Sequence, residues 1–265
     1  MEVNRYYRPS TLEEAHQTLL QDPKNVLLGG GLWIKKSTPS ANVLVDLTAI
    51  GLNQIRDLGD RIEVGAMVTQ RDFELNPLVR DIDGGILSGA VGQIMGVAFR
   101  QLATIGGSIA GRFPFSDVLT PLSALDVTLI FYPHKEISLA EHLNFKGRSS
   151  DILTHVIIKK AHGRGYFKKV KTTAMEFAIL NIAITLDEGR YRIAIGSRPS
   201  AASLAVGAME IVNEAKKPSI SDFERASEKA VEEFLYATTT FAGADYRKAL
   251  AKAYVRRGLE EVSKR

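Results

Sequence analysis

Residues 101–117 read QLATIGGSIAGRFPFSD: an apolar approach to a glycine pair, a serine, and further on an acid. A second glycine-rich stretch lies upstream, VLLGGGLWIKK at 26–36. Glycine weakens a strand or its end, so in such a place it marks positive φ or another group close to the main chain. Neither stretch fits G-x-G-x-x-G, and the first lacks the G-K-[ST] ending of a phosphate-binding P-loop. Both nevertheless follow apolar, strand-like runs, and successive exposed N–H groups form an anion-binding nest. Two facing nests would suit the diphosphate of a large cofactor. Two unrelated tight turns would account for the same spacing and composition.

Working outward, 265 residues with 45% apolar and 24% charged content describe one large or two modest globular domains. No apolar run is long enough to span a membrane, and the opening MEVNRYYRPSTLEEAH carries no apolar h-region. The chain has no cysteine, which excludes disulfides, thiolate zinc sites and iron–sulfur ligation within it. The expected compartment is the cytoplasm. The net charge of +4 is mild. Lys248, Lys252 and Arg256 share one face of a closing helix, and with no aromatic interleaving they do not indicate a nucleic-acid partner.

The pattern of elements is mixed. STLEEAHQTLL predicts a first helix with a capping box of Ser10 and Glu13. NVLL and NVLVDL read as strands around the first glycine stretch, and NQIRDLGDRIEVGAMV as a hairpin turning at Gly59-Asp60. TQRDFEL and PLVRDIDGGILSGAV read as helices. Strands follow in LDVTLIFY, DILTHVIIKK, GYFKKVK and FAILNIAITLDEGRYRIAIGS, then helices near 200–215, 221–235 and 244–262. The polar KKAHGRG, 159–165, is the natural boundary.

With these motifs in place, the sequence resembles the FAD-binding medium subunits of molybdenum hydroxylases, the family of carbon monoxide dehydrogenases, aldehyde oxidoreductases and xanthine dehydrogenases. LLGGGLWIKK is similar to the family's A-G-G-T-[DN]-L loop, and ATIGGSIAGRFPFSD to its T-I-G-G-N-[IL]-A segment with a downstream Ser-Asp. The closing YRKALAKAYVRRGLEEV matches the family's Y-R-x-x-L-x-x-x-L-x-R-R-A-L. The resemblance implies an α+β, vanillyl-alcohol-oxidase (PCMH)-type FAD-binding fold. Residues 1–160 would form the FAD domain, in two subdomains of about 1–52 and 53–160, and 161–265 a C-terminal α+β flavoprotein domain.

Residue by residue, the resemblance makes Leu28, Gly29, Gly30, Gly31, Leu32 and Trp33 the first pyrophosphate loop. Thr104, Ile105, Gly106, Gly107 and Ser108 would form the second, with a Ser108 hydroxyl available to phosphate. Asp117 would accept from cofactor hydroxyls, although its position also suits the N-cap of VLTPLSAL. Ile94 and Leu153 match apolar positions near the cofactor, and Lys171 a lysine near the flavin ring. Gly31 and Leu32 depart from the usual polar pair of the first loop, and Thr173, Ala174 and Met175 stand where many relatives carry arginines. No histidine lies in a glycine loop, so the implied FAD is non-covalent.

The resemblance further implies an electron-transfer role in a heterotrimer. A large subunit would carry molybdopterin, a small one [2Fe-2S], and this chain FAD, passing electrons to an external acceptor. Relatives suggest a dimer of such heterotrimers of carbon monoxide or aldehyde dehydrogenase type, and the face Lys248–Lys252–Arg256 is a candidate contact. There is no general acid or base to name. Two alternatives stand beside this reading. One is a free-standing reductase such as the enolpyruvyl-sugar reductase, against which the closing helix motif speaks; the other is a scaffold subunit without flavin.

Overall fold

A computed structural model describes residues 1–34, 40–147 and 149–264. The chain divides into two compact units, neither continuous in sequence. The first comprises Met1–Phe73, Gly96–Gly111 and Val127–Ile158; the second comprises Glu74–Met95, Arg112–Asp126 and Lys159–Arg265.

In the first unit, β1 (Glu2–Tyr7), β2 (Val26–Leu28) and β3 (Ser40–Asp46) form a parallel sheet in the order β1-β3-β2. β4 (Ile55–Asp57), β5 (Arg61–Gly65), β6 (Val127–Tyr132), β7 (Lys135–Ser138) and β8 (Ile152–Lys159) form a second sheet, ordered β4-β5-β8-β6-β7. The helix Leu12–Gln21 buries Ala15 and Leu19, four residues apart on one face, against Val45, Leu47 and Ile152. Its cap lies one residue later than the sequence suggests. Thr11 accepts from Glu14 N–H at 3.2 Å while Glu14 takes the Ser10 N–H at 2.8 Å, because Thr11 holds the extended backbone a cap requires.

The second unit is an antiparallel sheet of β9 (Arg164–Val170), β10 (Leu180–Asp187), β11 (Arg190–Gly196) and β12 (Ser203–Leu204), ordered β12-β11-β10-β9. Leu180, Ile182 and Ile184 of β10, with Tyr191, Ile193 and Ile195 of β11, alternate toward the helices Val206–Glu214, Ile220–Glu232 and Ala244–Ser263. Each such buried side chain contributes roughly 1.5–3 kcal/mol, so this period-two stripe is a substantial part of the unit's core. Among the described residues no helix is long and apolar enough to cross a membrane.

The run PLVRDIDGGILSGAV is not one helix. Pro77–Arg80 and Ile86–Gly92 are separated by Asp83, Gly84 and Gly85 at φ 42, 67 and 84°. Glycine adopts that region freely and Asp tolerates it, which is where the helical reading fails. Asp83 is 1% exposed. Its Oδ1 accepts the Gly163 N–H at 3.0 Å, while Oδ2 has no partner among the described residues. Burial, then the neighbouring Asp187 charge, pushes its carboxyl up to about 6.

A raised folded-state pKa means the contribution to stability is fully present below the ordinary value of 3.8 and is lost as pH rises through about 6. Asp83→Asn keeps the acceptor for Gly163 and carries no charge to desolvate. It is therefore expected to stabilise the protein by roughly 1–3 kcal/mol at pH 8 and to converge on the parent near pH 4. Urea unfolding of both proteins at the two pH values checks this; equal midpoints at pH 8 would refute it.

Candidate functional site

The two glycine stretches meet within the first unit. A Cβ placed on Gly29 would lie 3.0 Å from Thr104 Oγ1 and 4.0 Å from Gly107 Cα, and one on Gly107 would lie 2.9 Å from the same Thr104 oxygen. Thr104 caps the short helix Ile105–Ala110 by accepting the Gly107 N–H at 3.1 Å. The two loops thus share a rim formed by Gly29, Thr104 and Gly107.

The glycines at the centre of each stretch serve a different need. A Cβ on Gly30 would collide with the Leu102 carbonyl, and one on Gly106 would come within 2.5 Å of Ala66 Cβ. Both positions demand glycine because the protein's own backbone packs there. Gly31, at φ 75°, needs it for conformation.

The amides of the two loops are also unlike. Ile105 and Gly106 donate to Val68 and Ala66 carbonyls, both at 2.9 Å, and Ser108 to Thr104 O at 3.0 Å. The second loop has therefore spent its donors on its own fold. By contrast, Gly30, Gly31 and Leu32 have amides without a hydrogen-bond partner among the described residues. Consecutive unpartnered amides beside a left-handed glycine make a nest suited to an anion. The diphosphate of FAD fits the chemistry of this donor set.

Asp117 belongs to the second unit and is not a helix cap; Val118 holds that position and Ser116 Oγ accepts from Leu119 N–H at 3.2 Å. Its carboxylate is 7% exposed, paired with Lys169 Nζ at 2.5 Å and with Asn181 Nδ2 at 2.8 Å. Burial pushes the Asp117 carboxyl up, against the pull of the Lys169 ammonium. Asn181 also donates to Ser197 Oγ at 3.3 Å, and the Ser197 carbonyl accepts from the buried Arg247 guanidinium at 2.8 Å. A polar chain thus runs from the closing helix to Asp117.

A family model described as "FAD binding domain in molybdopterin dehydrogenase" matches residues 1–160. The chain belongs to this family. It is 25% identical to the nicotine 6-hydroxylase medium subunit of Paenarthrobacter nicotinovorans, with 98% of each chain covered. Its fold matches carbon monoxide dehydrogenase from Hydrogenophaga pseudoflava at a TM-score of 0.90, with 22% identity and 97% and 96% of the two chains covered. It matches quinoline 2-oxidoreductase from Pseudomonas putida 86 at 0.89, with 23% identity and 98% and 96% covered. Membership in this oxidoreductase family makes the fold an FAD-binding one.

For this molybdopterin-dehydrogenase flavin domain, the residues singled out in the sequence fall in two groups. Leu28 to Trp33, Thr104 to Ser108 and Leu153, which pairs with Phe131 in the sheet, lie in the first unit. Ile94, Asp117 and Lys171 lie in the second. Ser108 Oγ donates to Thr104 O at 2.7 Å, so its proton points into its own loop. Lys171 Nζ donates to Ala174 O at 2.9 Å, and burial, then the Lys169 charge, pushes its pKa down.

Lys169 is the residue that sequence reasoning missed. On β9 it alternates with Lys168, which sits over the Tyr254 ring at 5.1 Å on the helix side. The one-sided basic face of the closing helix is locally balanced: Lys252 pairs with Glu228 at 2.8 Å and Arg256 with Glu260 at 3.2 Å and Glu224 at 3.9 Å. Among the described residues no cluster of three or more His, Cys, Asp or Glu side chains could hold a metal ion.

Proposed function

We propose that this chain is the FAD-carrying medium subunit of a heterotrimeric molybdenum hydroxylase, receiving electrons from a small [2Fe-2S] subunit and passing them to an external acceptor. The observation that carries this is the run of unpartnered amides at Gly30 to Leu32, next in sequence to the rim of Gly29, Thr104 and Gly107, in a chain of the FAD-binding family. FAD, when bound, supplies reversible two-electron chemistry. The protein's part is to hold and orient it. The Gly30, Gly31 and Leu32 amides donate to the diphosphate, and Thr104 to Ser108 close the opposite wall. Leu153 offers apolar contact within the first unit. Residues 1–160 serve as the FAD domain and 161–265 as the C-terminal domain.

FAD is held non-covalently, since no histidine stands in either loop. With no cysteine in the chain, the [2Fe-2S] cluster belongs to a small partner subunit; in the same reading molybdopterin belongs to a large one, and two heterotrimers pair into a dimer. The relative from Paenarthrobacter nicotinovorans, itself named a medium subunit, supports this division. Co-expression with a candidate large and small subunit, followed by size-exclusion chromatography, is expected to give one flavin-containing complex. If the flavoprotein elutes alone and turns over a substrate unaided, the free-standing reductase reading replaces this one.

A further inference from the structure

Gln70 is 4% exposed and sits against the second glycine loop within the first unit. Its main-chain N–H donates to Ala103 O at 2.7 Å, and the neighbouring Thr69 bridges to Thr104. Its side-chain Nε2 lies 3.0 Å from Ser108 Oγ. The direction of that bond is fixed by chemistry. Ser108 Oγ is 2.7 Å from the Thr104 carbonyl, which can only accept, so the hydroxyl proton goes there and the Gln70 amide must donate.

This leaves Gln70 Oε1 buried with no partner among the described residues. A stranded buried acceptor destabilises the fold. A leucine of similar size would strand nothing, so packing alone does not account for an amide here. What the amide does is complete a relay: Gln70 Nε2 to Ser108 Oγ, Ser108 Oγ–H to Thr104 O, and Gly107 N–H to Thr104 Oγ1. Thr104 and Gly107 are the rim that faces Gly29.

We propose that Gln70 is a positioning residue for FAD binding: through Ser108 it locks the Thr104–Gly107 wall beside the loop whose Gly30, Gly31 and Leu32 amides would hold the diphosphate. This rests on the reading of the two loops as the diphosphate site. Gln70 touches no ligand itself; it removes the freedom of the wall before FAD arrives, and preorganisation of this kind appears as affinity.

The test is titration of the purified, flavin-stripped chain with FAD, followed by flavin fluorescence, alongside urea unfolding without FAD. Gln70→Leu is expected to weaken FAD binding about three- to tenfold, the range of one net hydrogen bond, while the unfolding midpoint stays equal or rises. Ser108→Ala should give the same loss, and the double variant no more than either alone, because both act on one relay. Unchanged affinity in Gln70→Leu, or additive losses in the double variant, would overturn the proposal. Should Gln70→Leu fail to fold, unchanged affinity in Ser108→Ala would overturn it instead. A Gly107→Val variant that still binds FAD at full strength would show that the loop reading itself, and not the role of Gln70, is at fault.

Discussion

Gly107→Val is expected to lower FAD affinity by about 100-fold or more while leaving the protein folded. Two charge-assisted hydrogen bonds at roughly 1.5 kcal/mol or more each set that scale. The position is exposed, and among the described residues the only atom a Cβ would meet within 3 Å is Thr104 Oγ1, a movable side-chain oxygen. Displacing that cap costs about 1 kcal/mol, too little to unfold a domain of this size. The proposed diphosphate site lies at the rim that Gly107 shares with Gly29 and Thr104, and the added isopropyl group would crowd it. Gly106→Val is not an equivalent probe. Its Cβ would run into Ala66 main chain and side chain, so fold and cofactor would be lost together. Flavin content after gel filtration and the far-UV spectrum of Gly107→Val separate the two effects; a folded variant with stoichiometric FAD would refute the loop assignment.

What was legible in the sequence follows from how local each feature is. The glycine stretches, the hairpin at Gly59-Asp60 and the alternation of Leu180, Ile182 and Ile184 are set by neighbours in sequence, and they are found where expected. The family was legible because its motifs occur in order along most of the chain. The state of the second-loop amides was not legible. Their partners, Ala66 and Val68, are some forty residues away and are identified only once the chain is folded. The basic helix face looked unpaired because Glu224 and Glu228, which neutralise it, sit on a different helix.

Lys169 shows the same limit most clearly. In GYFKKVK the strand period puts Lys169 and Lys171 on one face and Lys168 on the other, so two lysines were equivalent on the page. The choice between them is made by Asp117 and Asn181, which come from separate segments and close around Lys169 alone. Burial therefore differs sharply over two residues: the Lys169 side chain is 2% exposed, while Lys171 is half-buried and donates to the nearby Ala174 carbonyl.

That difference predicts a large stability effect. Lys169→Met is expected to destabilise the protein by about 3–5 kcal/mol at pH 8, the range for removing one partner of a buried ion pair. Lys171→Met should change it by no more than about 0.5 kcal/mol. The loss in Lys169→Met should also depend on pH. Without the ammonium, burial acts on Asp117 with only Asn181 and the more distant Lys171 opposing it, so its folded-state pKa rises further above the ordinary value. Stability tied to a raised carboxyl pKa is present in acid and lost as pH rises. The deficit should therefore be smallest near pH 4 and grow toward pH 8. Replacing Asp117 as well, in Lys169→Met/Asp117→Leu, should recover much of the loss, because an uncharged pair of similar volume leaves no charge to desolvate. Denaturant unfolding of the three variants at both pH values provides the measurement. A deficit that is independent of pH, or that persists in the double variant, would mean Lys169 acts through packing of its stem rather than through its charge.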